Sequence, residues 1–258
     1  MEFSTRRSGE PGGGTQVGHQ AATIGIRREL QLKLKPRPLQ KGQTIGIPAP
    51  AGPVNREQLE YTASIFESWG YRVAFGEHIF ERHGYLAGSD FDRAADLNAM
   101  FRDEGINAII CARGGYGSPR ILDLLDYEAM RAHPKIFMGY SDITALHIAI
   151  SQKAGLVTFH GPMAMADPKK GMPEFNARWM QRALTETSPL GEVGNPPGGP
   201  AIKTFAGGKV EGELVGGNLC LICSTLGTPY EIDTRGKILF IEDIDEFPYR
   251  MDRMLTQM

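Results

Sequence analysis

Apolar and polar positions alternate along this chain in blocks of two kinds. Short runs rich in apolar and β-branched residues, Thr44 to Ile47, Tyr71 to Phe75, Ala108 to Ala112 and Ile136 to Met138, read as strands. Between them lie stretches with helical spacing. Arg56 to Trp69 sets Leu59, Ala63, Phe66 and Trp69 on one face and closes at Gly70. Ser89 opens a second helix over Arg93 to Phe101, and Ile143 to Ile150 gives a third. The run Ala108 to Ala112 is apolar throughout, as in a parallel strand buried on both faces. Strands alternating with helices predict an open, doubly wound, mostly parallel α/β sheet over residues 41–165.

The pattern changes on either side. Residues 1–40 carry Gly12-Gly13-Gly14, scattered arginines and few large apolar side chains, which predicts a flexible tail. Within it Leu30 to Lys35 alternates as a short edge strand would, until Pro36 and Pro38 stop it. Residues 166–205 are rich in turn formers, hold one helix over Phe175 to Leu184, and read as a linker. A smaller unit over 206–258 has Leu214 to Leu226 and Lys237 to Ile241 as its apolar elements.

Composition narrows the class. Hydrophobic residues make up 41% of the 258, charged residues 22%, and the formal net charge is −2. That is a soluble, globular balance with no bulk attraction to nucleic acid or an acidic membrane surface. No apolar run approaches the ~20 residues of a membrane-spanning helix. Three cysteines, with no apolar stretch of a secretory signal, point away from a disulfide scaffold and toward the cytoplasm. Cys220 and Cys223 have the spacing of a metal or redox pair. Their neighbours Leu219, Leu221, Ile222 and Leu226, and the lack of a second pair or a histidine cluster, favour two small buried side chains.

In open α/β sheets, function gathers at the carboxyl ends of strands. Two such loops carry candidate chemistry. Gly139-Tyr140-Ser141-Asp142 sits between a strand and a helix, the setting of a nucleophile elbow that exposes a serine oxygen above the sheet. Ile143 stands where the elbow usually has a second glycine, so an N-cap serine or aspartate is the competing reading. Arg113-Gly114-Gly115-Tyr116-Gly117 is either a tight turn before a helix at Arg120 to Leu125 or a loop whose amides approach an oxyanion. Glu242, after the strand Lys237 to Ile241, is a third candidate; the alternative is a solvated carboxylate, or a cap for a helix at Arg250 to Leu255.

Six ordered blocks together resemble the LD-carboxypeptidase family, which includes the microcin C immunity proteins. They are Thr44 to Pro50, Arg113 to Gly117, Gly139 to Asp142, Thr158 to Pro162, Gly216 to Leu219 followed by Gly227-Thr228-Pro229, and Ile241 to Asp243 with Pro248-Tyr249-Arg250. The resemblance spans about residues 41–258. It implies a two-domain serine hydrolase that releases terminal D-alanine from murein tetrapeptides in cell-wall recycling, with no metal or organic cofactor. The triad serine falls on Ser141 and the triad glutamate on Glu242. The oxyanion hole falls on the N–H of Asp142 and one from Gly114 or Gly115, with Arg113 and Tyr116 toward the substrate. A homodimer and a smaller β-rich C-terminal domain are also implied.

The family histidine lies several dozen residues beyond the glutamate, and only 258 − 242 = 16 residues follow Glu242 here. His160 stands where relatives can carry serine, and His147, inside the helix after Ser141, reads as a packed or half-exposed side chain. The resemblance therefore implies an incomplete C-terminal domain and a chain inactive by itself. The alternatives are a hydrolase of aminoacyl or peptidyl nucleotides, as in microcin immunity, and an inactive fragment or ligand-binding remnant.

Overall fold

A computed structural model describes residues 33–258. In the first half, β1, β2 and β4 are followed by the helices that the sequence spacing predicts. Strand β1 (Thr44–Ile47) leads to helix α1 (Arg56–Ser68), which Asn55 caps by accepting the Gln58 N–H. Leu59, Ala63 and Phe66 are its buried apolar stripe. Strand β2 (Arg72–Phe75) precedes α2 (Asp90–Arg102), where Ser89 and Asp92 form a reciprocal capping box. Strand β3 (Ile106–Ile110) passes through a 3-10 turn at Ser118–Leu124 to the short α3 (Tyr127–Ala132). Strand β4 (Ile136–Gly139) runs through another 3-10 turn at Ser141–Ile143 into α4 (Thr144–Ala149), and β5 (Phe159–His160) follows.

The five strands pair in parallel in the order β2-β1-β3-β4-β5. Alternate residues supply opposite layers. Ile109 and Phe137 pack with Leu97, Phe101 and Leu146 on one face. Ile45, Ile47, Ile110 and Met138 pack with Leu59 and Phe66 on the other. Burial on both faces is why β4 and the part of β3 from Ala108 onward read as unbroken apolar runs.

Helix α5 (Glu174–Thr185) lies in the stretch expected as a linker. A second, two-stranded parallel sheet joins β6 (Leu214–Asn218) to β7 (Ile238–Glu242), with α6 (Leu219–Thr225) between them and α7 (Pro248–Gln257) after them. It docks on α4: the Asn218 N–H donates to Thr144 Oγ1 at 2.9 Å. A Cβ on Gly217 would stand 2.5 Å from that oxygen, so only glycine permits the approach. Among the described residues no helix is long and apolar enough to cross a membrane.

Several expectations are corrected. The helix expected at Arg120 to Leu125 is the 3-10 turn. Leu214 to Leu226 is two elements, broken at Asn218, whose side chain caps α6. Cys220 is exposed and Cys223 half-buried rather than buried. The packed stripe of α6 is Leu219, Ile222 and Thr225, and the cysteines lie one position round the helix from it. The expected tail falls outside the described residues for 1–32, as does Leu30 to Leu32 of the edge strand. The rest of it is anchored: Leu34 bridges Leu156, and buried Leu39 donates its N–H to Leu184 O at 2.7 Å.

Candidate active site

The chain leaves β4 at Gly139, extends through Tyr140, and turns sharply at Ser141. Ser141 has φ +60°, one of two non-glycine residues with positive φ among those described. A side chain in the left-handed region is held there against its preference. Packing accounts for it. A Cβ on Gly139 would come 2.8 Å from Ile143, so the turn folds tightly onto its own strand. Asp142, buried at 1% exposure, accepts the Ser118 N–H at Oδ2 (2.8 Å), and its carbonyl accepts from Ser118 Oγ.

The Gly114-Gly115 loop lies against this turn. A Cβ on Gly114 would stand 3.2 Å from the Asp142 nitrogen and 3.3 Å from Ser141 Cβ. Gly115, at φ +110°, turns the chain beside it. The loop is pinned by Gly52 N–H to Gly114 O at 3.1 Å. Arg113 donates from Nη1 to Pro53 O at 3.1 Å and from Nε to Gly114 O at 3.3 Å. Tyr116 is 52% exposed and meets Tyr85 edge-on.

Glu242 is the last residue of β7, paired in register with Asn218. Burial raises its carboxyl above the usual range and neighbouring Asp243 adds to the push; the Asn218 side chain and the Ser141 backbone N–H oppose it. Glu242 Oε1 is buried without a hydrogen-bond partner, and His160 Nε2 stands 4.0 Å from it. Asp243 is committed elsewhere. It accepts from Asn218 Nδ2 (3.2 Å), the Cys220 N–H (3.1 Å) and the Ile244 N–H (2.8 Å), which ties it to the start of α6.

The two nearby histidines differ. His147 is buried, and Nε2 donates to Gly139 O at 2.8 Å. Burial pushes its pKa down to about 4, so the ring is neutral at pH 7. His160 lies among the rings of Tyr140, His147 and Phe240, and burial lowers its pKa too. With Tyr140, Met163, Trp179, Lys237 and Phe240, it lines a cavity of about 790 Å³ beside the turn. Among the described residues no group of three or more His, Cys, Asp and Glu side chains could hold a metal ion.

The fold thus brings Ser141, Asp142, Gly114 and Glu242 together. Sequence reasoning gave no role to Asn218, Thr144 or Ser118, which connect them. Asn218 lies within the Gly216 to Leu219 block of the family resemblance, the one available signal.

A parallel α/β sheet places a strained serine at a strand end, faced by a carboxylate from a second small sheet. The LD-carboxypeptidase N-terminal domain matches residues 45–161, and the LD-carboxypeptidase C-terminal domain matches residues 211–258. The chain is 48% identical over 238 residues to the probable murein peptide carboxypeptidase of Bacillus subtilis, covering 89% of this chain and 71% of that protein. It is 33% identical over 221 residues to the murein tetrapeptide carboxypeptidase of Pseudomonas aeruginosa (83% and 70% covered). Among solved structures, muramoyltetrapeptide carboxypeptidase from Oxalobacter formigenes superposes with a TM-score of 0.70 at 33% identity, covering 83% of this chain and 70% of that one. MccF in complex with glutamyl sulfamoyl guanosine gives 0.73 at 28% identity, with 87% and 75% covered. The chain belongs to the LD-carboxypeptidase family.

Proposed function

We propose that this chain carries the nucleophile and glutamate of a serine carboxypeptidase that releases terminal D-alanine from murein tetrapeptides. The observation that carries the reading is the left-handed turn at Ser141, packed against Gly114 and reached by Glu242 from the second sheet. In this mechanism Ser141 Oγ attacks the carbonyl carbon of the L,D-amide while a base takes its proton. The oxyanion is stabilised by the Asp142 N–H and one from Gly114 or Gly115. The amine of D-alanine leaves with that proton, and water then hydrolyses the acyl-enzyme.

Glu242 orients the base and stabilises its charged form. The family resemblance assigns the base to a histidine. Within the described residues His147 is bonded to Gly139 O, and His160 is the histidine near Glu242. Arg113 and Tyr116 are the candidates for the substrate's terminal carboxylate. Residues 41–165 supply the nucleophile domain and 206–258 the glutamate, joined by 166–205.

The second reading is hydrolysis of aminoacyl or peptidyl nucleotides, favoured by the likeness to MccF bound to a glutamyl sulfamoyl nucleoside. One experiment separates the two: rates on a murein tetrapeptide and on an aminoacyl nucleotide, measured with this chain and with this chain joined to the C-terminal remainder of the Bacillus subtilis relative. Faster release of D-alanine than of nucleotide supports the carboxypeptidase reading; the reverse order overturns it.

A further inference from the structure

Arg93 is among the largest fully buried side chains described, at 1% exposure, and the reaction outlined above makes no use of it. A buried guanidinium is costly unless its donors are satisfied and its charge is met. Its donors go to particular places. Nη1 donates to Pro50 O at 2.5 Å, in the loop after β1, and to Gly117 O at 2.9 Å, in the loop after β3. Nη2 donates to Asp90 Oδ1. Asp90 is held in turn by Arg120, through Nε at 2.9 Å and Nη2 at 2.7 Å. One side chain from α2 therefore ties the loop after β1 to the loop after β3, and it is the second of these that packs against Ser141.

The connection continues residue by residue. Gly117 precedes Ser118, whose N–H and Oγ both bond Asp142, the residue after Ser141. Pro50 lies two residues before Gly52, whose N–H bonds Gly114 O. A Cβ on Gly117 would stand 2.9 Å from Arg93 Nη1, so the glycine, at φ +125°, exists in contact with this guanidinium. Within this network, Arg93 Nε and Asp142 Oδ1 are buried without hydrogen-bond partners. Burial raises the Asp142 carboxyl; the Ser118 hydrogen bonds oppose it most, and the Arg93 charge adds to them.

We propose that Arg93 is a positioning residue: it clamps the Pro50 loop to the Gly114–Gly117 loop, which packs against the Ser141–Asp142 turn, and so fixes the backbone donors of the oxyanion site. Its relevance to catalysis rests on the function proposed above, but its effect on the loops does not. A residue needed only for the stability of the whole fold would, when lost, loosen sheet and loops together. A positioning residue loosens the loops alone.

Amide hydrogen exchange followed by NMR on the 258-residue chain distinguishes these, and needs no turnover. The loop reporters are the amides of Gly52, Ser118 and Arg120, bonded to Gly114 O, Asp142 Oδ2 and Gly117 O. The sheet reporters are Cys111 and Gly161, bonded to Met138 O and Gly139 O. In Arg93→Met the loop amides should exchange at least ~10-fold faster, while the sheet amides stay within about threefold of the parent. Arg93→Lys, which keeps the charge but not the fork, should fall between. Parent-like loop exchange in folded Arg93→Met would overturn the proposal. So would joint loss of protection in loops and sheet. If Arg93→Met does not fold, Arg93→Lys is judged by the same two criteria, and unfolding of both variants counts as the global role and overturns it. Ser141→Ala, run in parallel, should leave the exchange pattern unchanged. A failed nucleophile assignment therefore leaves this result standing.

Discussion

Replacing Ser141 by glycine and, separately, by alanine isolates the cost of its backbone conformation from its chemistry, because neither variant has an Oγ. At φ +60° an L-residue bears a Cβ penalty of ~1–2 kcal/mol that glycine escapes. Glycine loses more chain freedom on folding, which offsets ~0.5–1 kcal/mol of that gain. Ser141→Gly should therefore be more stable than Ser141→Ala by about 0.5–1 kcal/mol. With a urea m-value of roughly 2–3 kcal/mol/M, its unfolding midpoint should lie about 0.3 M higher. The assay is urea unfolding followed by far-UV circular dichroism at pH 7. A midpoint for Ser141→Ala above that of Ser141→Gly, by the ~0.5–1 kcal/mol that glycine's chain freedom costs, would show that the turn stores no strain and remove the physical basis for reading it as an elbow.

The remaining expectations concern the groups around the turn. Glu242→Gln preserves shape and removes charge, so D-alanine release should fall by at least ~10² with the fold retained; Asp243→Asn, which weakens the start of α6, should lower stability by about 1 kcal/mol and spare more of the rate. Gly114→Ala places a methyl 3.2 Å from the Asp142 nitrogen, and should cost ~1–3 kcal/mol of stability and lower kcat more than it raises KM. His147 should titrate near 4 by NMR. Because its folded pKa lies below the unfolded value of 6.5, protonation favours unfolding: its contribution is complete above pH 6.5 and is lost as the pH falls toward 4. His147→Leu should accordingly flatten the pH dependence of the urea midpoint between pH 7 and 5.

Much of the first sheet was legible because its strands are parallel and covered on both faces, which leaves Ala108 to Ala112 and Ile136 to Met138 with no polar interruption. Helices α1 and α2 carry caps at Asn55 and Ser89 that set their starts. The second sheet was harder to read. In β6, Gly216 and Gly217 have φ near +140°, and Gly216 lies so close to Phe240 O that no side chain fits. The strand therefore lacks the alternation that marks an element, and Leu214 to Leu226 looks continuous. The cysteine pair misled for a related reason, since a helix of seven residues has too little periodicity to show which stripe is packed.

The same division holds at the site. Ser141, Asp142 and Gly114 follow strands directly, which makes them candidates from local sequence, while the preference for a nucleophile over a helix cap comes from the family resemblance. The approach of Glu242 to Ser141 depends on Asn218 bonding Thr144, across 74 residues, and hydrophobic periodicity carries no record of that contact. Arg93 looks in sequence like one more residue of a helix. Only its burial beneath two loops separates it from an ordinary surface arginine.

The central claim is that Ser141 is the nucleophile. Its most direct test is D-alanine release from a murein tetrapeptide by this chain joined to the C-terminal remainder of the Bacillus subtilis relative, with and without Ser141→Ala. The account predicts a fall in kcat of about 10³-fold or more, with Ser141→Ala still folded by circular dichroism. Retention by folded Ser141→Ala of more than about a tenth of the parent rate would contradict it.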